Sequence, residues 1–355
     1  MRSRAEIAPV VSLAELTTLR LGGPAGRLVR ADSDASVVET VRAADRDGAP
    51  LLLVGGGSNL VVADAGVPGT TVQVCTTGRE VRPGEPGTAL LTVAAGEDWD
   101  TVVADTLDRG LTGLECLSGI PGRAGAVPVQ NVGAYGVEIA ELLVDVDLYD
   151  RRAGVLREHV PAAALRLGYR TSALKGTDDA VVLRIRLVLS ADPSGLGGPI
   201  RYAELAGMLG VELGGRAPAA EVRDAVLALR RAKGMVLAPD DHDTWSAGSF
   251  FTNPVLAADA LPAALAGVQM PSWPQPDGRV KLSAAWLISH AGFERGHPGP
   301  GGRVSLSHRH SLALTNRGAG TTEDLLALAR QVRDGVRSAF GVELTPEPVL
   351  VGCSV

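Results

Sequence analysis

At 355 residues the chain is long enough for two or three domains, and 45% hydrophobic with 21% charged residues is an ordinary globular balance. The formal net charge is -6 with no dense Lys/Arg run, which excludes nucleic acid as a main partner. No stretch approaches the roughly 18 apolar residues that span a bilayer, so no membrane insertion is expected.

Arg2 and Arg4 precede Ala5-Glu6-Ile7 with no uninterrupted apolar core after them, so no secretory signal is expected. Cys75, Cys116 and Cys353 are odd in number and far apart, neither a disulfide framework nor a metal-ligand spacing. A cytoplasmic location follows as the expectation. Aromatics make up only 3%, so the core must be built from small aliphatic side chains.

The elements follow in chain order. Residues 34–44 carry an amphipathic helix pattern, with Asp32, Ser33 or Asp34 as cap and Gly48 beyond its end. Pro50-Leu51-Leu52-Leu53-Val54 reads as a short buried strand. The loop Gly55-Gly56-Gly57-Ser58-Asn59 then leads into strand-like Leu60-Val61-Val62-Ala63. Residues 98–107 form a second helix, with Trp99, Val102, Val103 and Leu107 on one side. Residues 143–149 alternate, and so do 181–189, with Arg184 and Arg186 facing out. A turn-rich break at 191–199 marks a domain boundary. Beyond it, 221–233 and 322–340 are helices. The chain is therefore α+β: a mixed first part to about 190 and a more helical second part.

Residues 118–136 hold five glycines and two prolines, with Arg123 as their one charge. Glycine serves where backbone takes unusual dihedrals or approaches something closely. With Gln130 and Asn131 at its centre, the segment suggests backbone wrapped around a large, partly apolar ligand; a tight connection between core strands is the plain alternative. Gly55-Gly56-Gly57 supplies part of a dinucleotide fingerprint but leads into a strand, where the fingerprint needs a helix N-terminus. A glycine loop between strands can still form a nest of N–H groups for phosphate, and Ser58 and Asn59 add side-chain donors.

The ordered set Gly55-Gly56-Gly57-Ser58-Asn59, Ser118-Gly119-Ile120-Pro121-Gly122 and Pro128 to Gly136 resembles the UDP-N-acetylenolpyruvoylglucosamine reductase family, from about Thr17 to Gly352. The resemblance implies an FAD-binding fold of the vanillyl-alcohol-oxidase type. Its two subdomains would cover 1–75 and 76–192. A substrate-binding α+β domain would cover 193–355, with a C-terminal segment returning to the active site. It implies non-covalent FAD held by Gly55, Gly56, Gly57, Ser58, Asn59, Ser118, Gly119, Ile120, Pro121, Gly122, Gly125, Ala126, Gln130, Asn131, Gly133, Ala134 and Tyr135. NADPH would be the reductant and UDP-N-acetylglucosamine enolpyruvate the substrate, with a monomeric enzyme expected. No second dinucleotide fingerprint appears, consistent with NADPH and substrate using one cleft in turn.

Three motifs match those of the family that carry its chemistry: Gly168-Tyr169-Arg170-Thr171-Ser172, Gly248-Ser249-Phe250-Phe251-Thr252-Asn253-Pro254, and Leu344-Thr345-Pro346-Glu347-Pro348-Val349. By this likeness Arg170 stabilises charge on the substrate carboxylate, Ser249 gives the proton, and Glu347 supports the enol-like intermediate. These residue types suit the roles: a guanidinium is a fixed fork that keeps its proton. A carboxyl kept neutral by burial is physically reasonable.

Tyr169, Tyr202, Lys233, Asn253, Lys281 and His290 would contact substrate, with Tyr202 on the tyrosine loop of the family's first subtype. The chain departs from the family pattern at Ala285 and Ser289, where relatives carry a glycine and an acid. His308 and His310, two apart on an expected strand, would face the same way, but no third ligand is evident and no metal is expected. His310 is expected to pack or hydrogen-bond inside the C-terminal domain.

Two other readings fit parts of the chain. An oxidase of the same fold would often tether flavin through His or Cys, and of these the loops offer only Cys116, at their margin. A non-catalytic UDP-sugar sensor would have no need of Ser249 as a proton donor.

Overall fold

The computed structural model describes residues 11–355, so the charged N-terminal segment with Arg2 and Arg4 lies outside the described residues. In chain order the first layer holds β1 (Ala25–Ala31), α1 (Asp34–Asp47), β2 (Leu51–Val54), β3 (Leu60–Val62) and β4 (Val67–Val74). β4 lies between β1 and β2, and both pairings are parallel. α1 starts where Ser33 Oγ accepts the Ser36 N–H and stops at Gly48 in the left-handed conformation. Val37, Val38, Val41 and Ala44 recur at helical spacing and are buried on one face.

β5 (Arg79–Pro83), β6 (Thr88–Ala94), α2 (Trp99–Asp108), a two-residue hairpin of β7 (Gly133–Ala134) and β8 (Val137–Glu138), β9 (Leu143–Asp150), β10 (Val155–Pro161) and β11 (Ala180–Ser190) follow. An antiparallel sheet runs in the order β10-β9-β11-β6-β5. Val181, Leu183, Ile185, Leu187 and Leu189 of β11 are all buried.

Arg186 does not face solvent: its Nη1 donates to Asp145 at 2.6 Å and Asp147 at 2.8 Å, and its Nη2 to Asp147 at 2.7 Å. Next to burial, which opposes it, these bonds dominate and hold Asp147 below the usual carboxylate range. Asp145, Asp147 and His159 lie close enough together to hold a cation, but the guanidinium already supplies the positive charge there.

The last part contains α3 (Ala203–Leu209), α4 (Ala219–Ala232), β12 (Val255–Ala257), β13 (Ser272–Pro274), β14 (Arg279–Leu282), α5 (Ala284–His290), β15 (Val304–Leu306), β16 (Leu314–Asn316), α6 (Thr322–Phe340) and β17 (Val349–Val351). α6 opens on a reciprocal cap between Thr321 and Asp324. Its buried Leu325, Leu328, Val332 and Val336 join Phe250, Phe251 and Leu287 in one core. The Asp64 carboxylate accepts the N–H groups of Thr322 at 2.8 Å and Glu323 at 3.0 Å, tying this part to the first layer. β17 pairs in parallel with β3, Leu350 opposite Val61. This pairing carries the chain end, and with it Glu347, back to the glycine loop.

Candidate active site

A cavity of about 760 Å³ lies between the small parallel sheet and the antiparallel sheet. Its walls are Leu51–Leu60, Ile120–Gly133 in part, the 174–182 segment, Ala247–Ser249 and the 347–352 segment. The volume stands near the upper end of the roughly 300–1,000 Å³ range of small-molecule sites, large enough for a dinucleotide.

The glycine loops make this wall possible. Gly57 has φ +60, and a Cβ there would stand 1.8 Å from the Leu16 carbonyl oxygen. A Cβ on Gly56 would stand 2.7 Å from Gly122 Cα, so the two loops touch backbone to backbone. The N–H groups of Gly56, Gly57 and Ser58 donate to no acceptor among the described residues. Asn59 Nδ2 donates to Gln130 Oε1, joining the loops beside the cavity.

Four cations line the cavity, Arg123, Arg170, Lys175 and Arg230, against Asp178 and Glu347. Arg230 Nε is buried without a hydrogen-bond partner among the described residues. Free N–H groups, excess positive charge and an orphaned guanidinium nitrogen together fit a cofactor that carries a pyrophosphate and a polar ring edge.

Of the residues assigned to the cofactor by resemblance, Gly55, Gly56, Gly57, Ser58, Asn59, Ile120, Pro121, Gly122, Gly125, Ala126, Gln130 and Gly133 reach the cavity wall. Ser118, Gly119, Asn131, Ala134 and Tyr135 do not. Ser118 is fully buried and its Oγ donates to the Glu115 carbonyl at 2.6 Å. The Gly119 N–H donates to Asp100 at 2.6 Å. Asn131, at φ +48, spends its amide on Glu138, the Gly168 carbonyl and the Ala140 N–H. Ala134 sits in the β7–β8 hairpin. The Tyr135 ring meets Tyr202 edge-on at 5.4 Å. These five shape the loop from behind.

Arg170, Ser249 and Glu347 come from three distant segments and line the same cavity. Arg170 holds a left-handed backbone at φ +54. The Lys175 ammonium, 2.9 Å from the Arg170 carbonyl, stabilises that turn. Arg170 Nη2 donates to the Gly133 carbonyl at 2.9 Å, and its Nε lies 3.6 Å from Glu347 Oε1. Burial pushes the Glu347 carboxyl above the usual range, while Arg170 and Lys175 pull it down. Burial likewise lowers the Lys175 ammonium. Ser249 Oγ lies 3.3 Å from His310 Nε2.

The expected substrate residues divide into groups. Tyr169 stands beside Arg170 and close to Asn253, and Lys281 Nζ lies 4.8 Å from the Tyr169 ring centre. Asn253 Oδ1 also accepts the Ala284 N–H at 2.9 Å and so holds the start of α5. Tyr202 is exposed at the start of α3, and Lys233, the C-cap of α4, pairs with Glu204 and lies 6.0 Å from the Tyr202 ring. None of these five expected residues, nor His290, lies on the cavity wall itself; His290 stacks on Trp286 at 3.7 Å and its Nδ1 meets the Trp286 carbonyl. His308 and His310 are not on a strand but in the turn between β15 and β16. They point apart, His308 to Asp243 and His310 to Ser249.

No sequence motif marks Lys175, Arg230 or the Ser249–His310 contact as part of the site. Lys175 sits five residues after Arg170 with no motif of its own.

The fold and this cavity define an FAD-binding oxidoreductase of α+β type. Residues 25–158 match the FAD binding domain family, and residues 239–351 match the family described as UDP-N-acetylenolpyruvoylglucosamine reductase, C-terminal domain. The chain is 58% identical over 352 residues to UDP-N-acetylenolpyruvoylglucosamine reductase of Saccharopolyspora erythraea, covering 97% of this chain and 95% of that one. It is 54% identical over 355 residues to the Nocardia farcinica protein of the same name, covering 98% and 90%. A crystal structure of the Thermus caldophilus protein superposes with a TM-score of 0.65 at 24% identity, covering 97% and 98%, so the likeness in fold spans the chain. The chain belongs to the UDP-N-acetylenolpyruvoylglucosamine reductase family.

Proposed function

We propose that this protein reduces the enolpyruvyl group of UDP-N-acetylglucosamine enolpyruvate, giving UDP-N-acetylmuramate for peptidoglycan, with NADPH as reductant and FAD as carrier. The convergence of Arg170, Ser249 and Glu347 on one cavity supports this reading most. FAD, recharged by NADPH, would supply hydride to the methylene carbon of the enolpyruvyl ether.

The chain's own residues do the rest. The Gly55–Asn59 loop and residues 120–126 would hold the pyrophosphate on backbone N–H groups, with Arg123 and Arg230 adding charge. The Arg170 guanidinium, fixed through Gly133 and short of water, would hold the substrate carboxylate and the charge that grows on it. Glu347, its proton retained more strongly by burial, would donate a hydrogen bond to the enol-like oxygen. Ser249 Oγ–H would give its proton to the α-carbon. Tyr169, Asn253 and Lys281 would seat the sugar side, and Tyr202 with Lys233 the diphosphate. His290 has both partners on its own helix, so we leave it out of the substrate set.

Ser249 and its neighbours give the reductase an advantage over an oxidase or a sensor of the same fold. Cys116 is buried, its thiol pushed up to about 12 mainly by that burial, and it is not on the cavity wall. A covalent flavin link there is chemically disfavoured. No helix among the described residues is long and apolar enough to cross a membrane, and a cytoplasmic monomer is the form we propose.

The test of the function is product formation: NADPH and the enolpyruvyl nucleotide, supplied together, should be consumed in equal amounts with UDP-N-acetylmuramate appearing. NADPH consumption that depends on oxygen and not on the nucleotide would favour an oxidase.

Glu204 offers a second test, on the diphosphate site. Its carboxylate occupies Lys233, so an incoming diphosphate must displace it. Both side chains are partly exposed, and such pairs are worth about 0.2–1 kcal/mol. Glu204→Gln should therefore tighten substrate binding by roughly 1.5–5-fold, measured as the dissociation constant of the oxidised holoenzyme. Weaker binding would remove Lys233 from the diphosphate site.

A further inference from the structure

The proposed reaction consumes one proton that neither the hydride nor the substrate brings. Ser249 has a single proton to give, and a serine alkoxide is far too basic to persist afterwards. Some group must return a proton to Oγ as the first one leaves. His310 Nε2, at 3.3 Å, is within reach. The turn that carries it is fixed by Ser307, whose Oγ accepts the His310 backbone N–H at 3.2 Å and the Arg309 N–H at 3.0 Å. The residue is half-buried, so it stands between the cavity and solvent.

We propose that His310 supplies the proton of Ser249: as Ser249 Oγ–H gives its proton to the substrate α-carbon, the His310 Nε2–H proton passes to Oγ. The inference rests on the reductase reading. The step balances: the carbanion electron pair becomes the new C–H bond, the Ser249 O–H bond is broken and remade, and the imidazolium ends as neutral imidazole. His310 acts through Ser249 and is a positioning residue, refilled from solvent once per turnover.

The charges around His310 set when it carries that proton. Lys233 and Arg230 face it from the end of α4, Arg295 from the segment after α5, and Ser249 from the cavity loop. Burial, then these three cations, lower its pKa to about 4, so the ligand-free protein holds it neutral at neutral pH. A bound substrate diphosphate would offset Lys233, the cation that lowers this pKa most. His310 pKa then rises, and the protein takes up a proton as substrate binds. The proton-dependent half-reaction accordingly slows as pH rises through the pKa of the complex.

The test uses holoenzyme and the variant His310→Gln, which keeps a hydrogen-bonding side chain and cannot carry the proton. Binding of UDP-N-acetylglucosamine enolpyruvate to oxidised wild type, followed with a pH-indicator dye near neutral pH, should take up a measurable fraction of a proton; the variant should take up none. Reoxidation of the reduced variant by that substrate should be roughly 10²-fold slower and lose the falling limb of its pH profile. With His310→Ala, added imidazole should restore part of the rate. Equal proton uptake in wild type and variant overturns the proposal. So does a slow variant that keeps the wild-type pH profile, since His310 would then be structural only. Flavin content and bleaching by NADPH report whether each variant is folded. Failure of the substrate to reoxidise reduced wild type would instead sink the reductase reading.

Discussion

Replacing Ser249 with alanine should leave bleaching of the bound flavin by NADPH intact and slow its reoxidation by the enolpyruvyl nucleotide by about 10²–10⁴-fold. The hydroxyl is the group proposed to protonate the α-carbon, and that step occurs only after hydride has reached the substrate. Ser249 is half-buried and Phe250 and Phe251 beside it carry the packing, so loss of one oxygen leaves the core intact. Rapid mixing in the absence of oxygen separates the two half-reactions. Equal losses in both would contradict the assigned role and point to a damaged cavity.

Arg170→Lys should slow the same half-reaction by roughly 10²–10³-fold, the cost of removing one preorganised donor at a growing charge. The lysine keeps the charge and loses the fork. A guanidinium binds a carboxylate through two parallel N–H groups while still reaching the Gly133 carbonyl. An ammonium has three donors but no planar fork, so it cannot hold both carboxylate oxygens in parallel while reaching that carbonyl. The left-handed backbone at this position is already held by Lys175, so the substitution adds no new strain. Substrate KM should rise alongside the loss in rate. A variant with unchanged kinetics would mean that the carboxylate is held elsewhere, with Lys175 an alternative cation on the same cavity wall.

The elements legible in the sequence were those with their own periodicity or caps. β11 alternates, α1 has Ser33 and Gly48 at its ends, and α6 repeats leucine and valine at helical spacing after Thr321. β1 and β4 carry no such signal. β1 buries only its two end residues, and β4 carries Pro68 and Gly69 in a run that packs on both sides. Their identity depends on parallel partners remote in the chain, and no local pattern encodes that.

The site follows the same division. Arg170, Ser249 and Glu347 each sit in a motif, so the residues could be named before their proximity was known. Orientation could not be named. Ser118 and Asn131 belong to the right loop, yet both turn inward to satisfy buried carbonyls and amides. Arg186 sits in an alternating strand but turns to two aspartates on β9. The contact of His310 with Ser249 joins residues 61 apart through a turn between two short strands. Nothing in the spacing of either residue announces it.

The central claim is that one cavity takes electrons from NADPH and gives them to an enolpyruvyl nucleotide. It is tested most directly by following the visible absorbance of the flavin in oxygen-free buffer, first with NADPH and then with UDP-N-acetylglucosamine enolpyruvate. Bleaching by the first and fast recovery of the yellow colour on adding the second is the result expected. Bleaching with no recovery until air is admitted would contradict the claim and make the protein an oxidase of the same fold.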